Sequence, residues 1–109
     1  LFLADYGRAL LAAEQYKSAL SVLKKAYGRD GANPRLLRNL AQAYAHAGNN
    51  GMASSATAER YAVLGRLSDA GIHANRAMGL LPRGSSAWLR AQDISIAAER
   101  AGAKKKRKR

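Results

Sequence analysis

No cysteine occurs in this sequence, proline appears twice, and acidic side chains number seven against 19 lysines and arginines. Each shortage excludes something. Without cysteine there is no disulfide framework, no thiolate metal site and no cysteine nucleophile, and the redox compartment goes unmarked. No run approaches the roughly 18 consecutive apolar residues that a bilayer span requires, so no transmembrane helix and no membrane insertion are expected. The start, Leu1-Phe2-Leu3-Ala4-Asp5, lacks the basic n-region of a secretory signal. It also lacks an initiating methionine. We therefore expect a piece of a longer protein, whose destination this segment does not record.

What is present points to helix. The 109 residues are 48% hydrophobic with a formal charge of +12, enough for one domain with a modest core. Half of the excess charge sits in the terminal run Lys104-Lys105-Lys106-Arg107-Lys108-Arg109, so the body is only mildly basic. Alanine makes up about a fifth of the chain and β-branched residues are scarce, a balance that favours helix over strand. The expected fold class is all-α.

Glycine and proline divide the body into segments of helical length. The first runs from Leu1 to about Ala13, with Leu3, Tyr6, Leu10 and Ala13 at three- and four-residue spacing. The second starts near Tyr16, carries Ala19, Leu20, Leu23, Ala26 and Tyr27, and is expected to end at Gly28. Asn33 as cap before Pro34 starts a third, which carries Leu37, Leu40, Ala41 and Tyr44 toward Gly48. The turn Gly48-Asn49-Asn50-Gly51 opens a fourth, with Met52, Ala53, Ala56, Tyr61 and Leu64 predicted to face inward and Gly65 as its stop. A fifth spans about Leu67 to Leu81, where Pro82 forbids continuation. A sixth, capped by Ser85 or Ser86, carries Trp88, Leu89, Ile94 and Ile96 to about Ala101. The short loops make this an antiparallel series.

The series repeats. Leu3, Tyr6, Gly7, Leu10, Tyr16 and Ala19 recur 34 residues later as Leu37, Leu40, Ala41, Tyr44, Asn50 and Ala53, a period typical of stacked helix pairs. The rest of the second-helix pattern, Leu23 and Ala26, fades into Thr57 and Arg60. At half that offset Tyr61, Gly65, Leu67, Ala70, Ala74, Ala77 and Pro82 restore it, so the fourth helix closes the second pair and opens the third. Small residues at 19, 53 and 70 fit where antiparallel helices cross most closely, and Tyr6, Leu40, Tyr44 and Tyr61 fill the space between pairs.

This pattern resembles the tetratricopeptide repeat over residues 1–82. Glu14 departs from it, standing where that family usually has glycine, as does Arg60 where it has alanine. The resemblance implies about three antiparallel helix pairs in a right-handed α-solenoid over 1–82; a capping helix is expected over 83–103. A narrower likeness lies in Leu40-Ala41-Gln42-Ala43-Tyr44 to Gly48, in Ala58 through Gly65, in Ala70 through Arg76-Ala77-Met78 to Ser85, and in Trp88 through Ile94. These are similar to the C-terminal tetratricopeptide domain of bacterial periplasmic zinc metallopeptidases of the BepA type, over about residues 34–96. That likeness implies an upstream peptidase domain in cis with an HExxH helix holding the zinc, a periplasmic location and a role in outer-membrane protein quality control.

No HExxH occurs in this chain, and His46 and His73 fall on different helices without a partner at ligand spacing. Ser54, Ser55, Ser85 and Ser86 read as helix-surface or capping residues. We expect no catalytic residue, metal ligand or cofactor here. Binding is the better expectation. The first helix of each pair would line a concave groove with Ala4, Arg8 and Leu11, then Arg35, Arg38, Gln42 and His46, then Ser55 and Glu59. Such a basic groove suits an extended or unfolded polypeptide, guanidinium forks taking its carboxylates. Tyr16, Tyr27, Met52 and Met78 read as packing and Trp88 as the anchor of the last helix. The run 104–109 has no interleaved aromatics and no apolar face, so a solvated, disordered tail is expected. A free-standing scaffold or chaperone adaptor is the alternative function, and a nucleic-acid-binding module using the tail with Arg35, Arg38, Arg83 and Arg90 stands third.

Overall fold

Side-chain caps set where three of the helices begin. Asn33 Oδ1 accepts from the backbone N–H of Arg35 and Leu36 at 3.0 and 3.2 Å, Asn49 Oδ1 from that of Met52 at 3.1 Å, and Ser85 Oγ from that of Trp88 at 3.3 Å. These bonds satisfy N–H groups that a helix start leaves without partners. The structure, a computed structural model, describes residues 2–107. Its elements are α1 (Phe2–Ala12), α2 (Tyr16–Arg29), α3 (Pro34–His46), α4 (Asn50–Val63), α5 (Leu67–Leu80) and α6 (Ser86–Arg107).

Three of the turns are one motif repeated. Glu14, Gly48 and Gly65 hold left-handed φ angles of 60°, 75° and 77°. In each case the following N–H reaches back across the helix end: Gln15 to the Leu10 carbonyl at 2.9 Å, Asn49 to that of Tyr44 at 2.9 Å and Arg66 to that of Tyr61 at 2.8 Å. This is the glycine-type helix stop. The three positions stand 34 and then 17 residues apart, so the offsets of the sequence repeat are offsets of backbone geometry too.

Consecutive helices pack on one another, and the all-α stack of helix pairs expected from the sequence is what forms. Beyond neighbours, α1 touches α3 and α4 touches α6, whereas α3 and α5 do not pack. The register of the stack therefore shifts at α4, the helix that the half-period makes common to two pairs. The result is a row measuring 49 × 27 × 20 Å. Its first core joins Ala19, Leu23 and Ala26 to Leu36, Leu40, Ala43 and Tyr44, with Leu3, Leu10 and Met52 packed around them. Its second is built of Ala58, Ala74, Ala77 and Ala91, flanked by Met78, Leu81 and Ile94. Alanines bury little apolar area each, so this half depends on close helix approach rather than on bulk.

Several boundaries and faces differ from the sequence reading. α2 passes through Gly28 to Arg29, because Gly28 keeps a helical backbone and the chain turns only at Asp30, whose N–H bonds to the Ala26 carbonyl. On α4 the buried set is Gly51, Ser54, Ser55, Ala56 and Ala58. Of the five residues predicted to face inward only Ala56 is in that set, and Leu64 is 45% exposed. A helix with α3, α5 and α6 as neighbours has no single apolar stripe, and small residues all round it let three partners approach. Ser54 and Ser55 are thus interior residues rather than surface ones. α6 continues past 103 to Arg107: alanine, lysine and arginine are strong helix formers, and cations suit the negative end of a helix dipole. Lys108 and Arg109 lie outside the described residues.

Two substitutions test this account. Glu14→Gly should raise the unfolding free energy by about 0.5–1 kcal/mol in a urea titration, since the left-handed conformation costs an L side chain more than glycine. A Cβ on buried Gly7 would lie 2.5 Å from Leu23 Cδ2. Leu23 is fully enclosed and cannot retreat, so Gly7→Val should cost about 2 kcal/mol in the same titration.

Candidate polypeptide-binding face

Arg35, Arg38, Gln42 and His46 recur every three or four residues on α3, which puts them on one helix face, and all four are exposed. Arg35 and Arg38 form no ion pair among the described residues. At the end of this stripe the His46 imidazole lies flat on the Tyr16 ring, with centroids 3.8 Å apart and planes 10° from parallel. Arg8 is exposed on α1, whereas Leu11 is half-buried and packs on the first core with Ala4.

Glu59 belongs elsewhere. Its side chain, 18% exposed, accepts a hydrogen bond from the Tyr27 hydroxyl at 2.5 Å through Oε1. The same oxygen is 3.7 Å from Arg90 Nε, close enough for attraction but too long for a hydrogen bond. Arg90 Nε is buried without a hydrogen-bond partner, and its guanidinium carbon sits 6.0 Å over the Tyr27 ring. Tyr44 lies within electrostatic reach of both charges. Two residues beyond Gln42, it is turned about 200° around α3, toward the opposite side. The structure thus splits the predicted groove into an α3 stripe of Arg35, Arg38, Gln42 and His46 and a separate cluster in which Tyr27, Glu59 and Arg90 join α2, α4 and α6. Ser55 is interior to the helix row and lines neither.

Burial sets the titration behaviour of this cluster. Desolvation raises the Glu59 pKa above the usual carboxylate range, against the opposing pull of the Tyr27 hydrogen bond and the Arg90 charge. Tyr27 is pushed up to about 12 by burial and by the adjacent carboxylate, and burial raises Tyr44 as well. Tyr27, Tyr44 and Arg90 are the functional candidates that sequence reasoning assigned elsewhere. The signal available was a glutamate on the inward side of α4, a charge that needs a donor or a cation beside it.

The two histidines remain apart. His73 stacks on Tyr61 at 5.4 Å, and desolvation, helped by Arg76, lowers its pKa. Arg60 and Arg66 hold their guanidinium carbons 5.6 and 5.1 Å from the same Tyr61 ring. Among the described residues no three His, Cys, Asp or Glu side chains are grouped to hold a metal ion. No helix among them is long and apolar enough to cross a membrane.

In comparison with known proteins, residues 10–59 fit the family described as tetratricopeptide repeat. No curated protein matches the chain, and no solved structure does. The matched segment runs from the end of α1 through most of α4 and contains two of the three repeated helix stops. With the all-helical stack it supports a tetratricopeptide-repeat domain, a kind of module that in general binds polypeptides and is not catalytic.

Glu59 provides a test by pH. A carboxyl whose folded pKa is raised holds its proton longer in the folded than in the unfolded state, so its contribution is present below the unfolded pKa and is lost as pH rises through the folded one. Glu59→Gln keeps an acceptor for Tyr27 and removes this titration. The variant's stability relative to the parent should therefore increase as pH rises above the unfolded glutamate value of about 4.3 in urea titrations at successive pH values; a constant difference would refute the assignment.

Proposed function

We propose that this tetratricopeptide domain holds an extended or unfolded polypeptide against the α3 stripe. The observation that carries this reading is the set of Arg35, Arg38, Gln42 and His46, four exposed polar side chains on one face, two of them guanidinium groups with no ion pair among the described residues. From Arg35 to His46 the helix rises roughly 16 Å, the length of about five extended residues. Guanidinium groups there can take carboxylates in two-point fashion, and Gln42 and His46 can pair with the ligand's main chain.

The finer reading is that the domain is the C-terminal substrate-holding part of a zinc-dependent metalloendopeptidase of the periplasm, engaged in outer-membrane protein quality control. It is supported by the likeness of residues 34–96 to the BepA-type domains. In this reading zinc and the catalytic carboxylate belong to a peptidase part in cis, and this chain supplies only retention of the substrate. The reading frame upstream of Leu1 tests it: an HExxH helix behind a secretory signal is expected, and a frame without one leaves a free-standing scaffold.

Polypeptide holding is tested by capture of a urea-unfolded outer-membrane protein on the immobilised chain. Joint replacement Arg35→Ala and Arg38→Ala should weaken capture about tenfold, or ~1.4 kcal/mol, with an unchanged melting temperature. Capture equal to that of the parent would reject the α3 face.

A further inference from the structure

α6 closes the α4–α5 seam, where Ala58, Ala74, Ala77 and Ala91 are essentially without exposure. Among the described residues, no helix covers the outer side of the α5–α6 seam. A groove of about 720 Å³ lies there, between the first half of α5 and the second half of α6. Gly71 brings the two helices close, since a Cβ on it would lie 2.6 Å from Ala98 Cβ. Leu67, Ile72, Ala98 and Ala101 give the groove apolar walls, and Ile72 is 56% exposed.

The register shows what stands at the mouth. Ser95 Oγ donates to Asn75 Oδ1 at 2.6 Å, and Gly71 meets Ala98, so residues from about 104 onward extend past Leu67, the first residue of α5. That overhang carries Lys104, Lys105, Lys106 and Arg107, all exposed and none in an ion pair among the described residues. Lys105 reaches the groove itself; of the two carboxylates in the lining, Asp69 is engaged by Arg66 at 2.8 Å and Glu99 stands on the α6 wall, so the excess of positive charge is at the overhang rather than along the walls.

We propose that this groove seats an amphipathic helix of a partner protein, with small apolar residues against Ile72 and Ala98 and carboxylates against the Lys104–Arg107 overhang. Two observations select this occupant. The preceding seam is filled by a helix presenting alanine, so an equivalent helix continues the same packing. The cations call for an anionic partner, and a formal charge of +12 on each chain opposes a second copy. A nucleic acid would answer the cations but leave the apolar walls unused. The site is separate from the α3 stripe, and its fate does not depend on the polypeptide reading.

The test uses the full chain and a fluorescent 18-residue helical peptide with an alanine–leucine stripe flanked by glutamates, alongside a glutamine version and a scrambled one. Anisotropy should show binding of the glutamate peptide, weakened at least tenfold in the glutamine version and in both the Ile72→Glu and the paired Lys104→Glu, Lys105→Glu chains. Ile72 is exposed and the lysines lie beyond the packed core, so circular dichroism of these chains should match the parent. Equal binding of the scrambled peptide, or indifference to Ile72→Glu, would overturn the proposal. So would no binding of the glutamate peptide. Displacement by duplex DNA that is unaffected by Ile72→Glu would assign the overhang to nucleic acid. A dimer by sedimentation that Ile72→Glu dissolves would assign the groove to a second copy.

Discussion

Close approach of helix backbones is the constraint on which this molecule rests. Gly7 lets α1 settle on Leu23, Gly71 lets α5 settle on α6, and between them Ala58, Ala74, Ala77 and Ala91 form a core with almost no side-chain bulk. Dispersion falls steeply with separation, so small residues stabilise the stack only while the helices remain in contact. The repeated left-handed stop at residues 14, 48 and 65 serves that condition by ending three helices with the same backbone conformation and the same reach-back hydrogen bond.

The half-period at α4 decides which surfaces exist. Because α4 packs with α6, and α3 does not pack with α5, the stripe on α3 and the charges on α4 do not merge into one groove. Tyr27, Glu59 and Arg90 meet instead on the other side of α3, where they tie α2, α4 and α6 together by side chains. The tie is incompletely satisfied: Glu59 is partly desolvated and Arg90 Nε has no acceptor. An arrangement of that kind favours one geometry of the row more than it adds to its stability.

Much of the fold was legible because its determinants are local or periodic. Asn33 and Pro34 mark a helix start by their own chemistry, and the offsets of 34 and 17 residues appear both in the side-chain pattern and in the turns. The Glu14 departure from glycine was visible as well, and the backbone there keeps the left-handed form regardless of the side chain. The site was half legible. Spacing alone placed Arg35, Arg38, Gln42 and His46 on one face, but the Tyr27–Glu59 bond joins residues 32 apart and needs the third dimension.

Sequence by itself determined the all-α class, the number of helices, their caps and the repeat, since these follow from propensity, hydrogen-bonding side chains and spacing along one chain. Tertiary structure alone decided that Ser54 and Ser55 are interior, that Glu59 faces Arg90 rather than the α3 stripe, and that a groove runs between α5 and α6. Those outcomes depend on which helices become neighbours two elements apart. That choice is made by the summed fit of small residues across several interfaces, and no single stretch of sequence contains it.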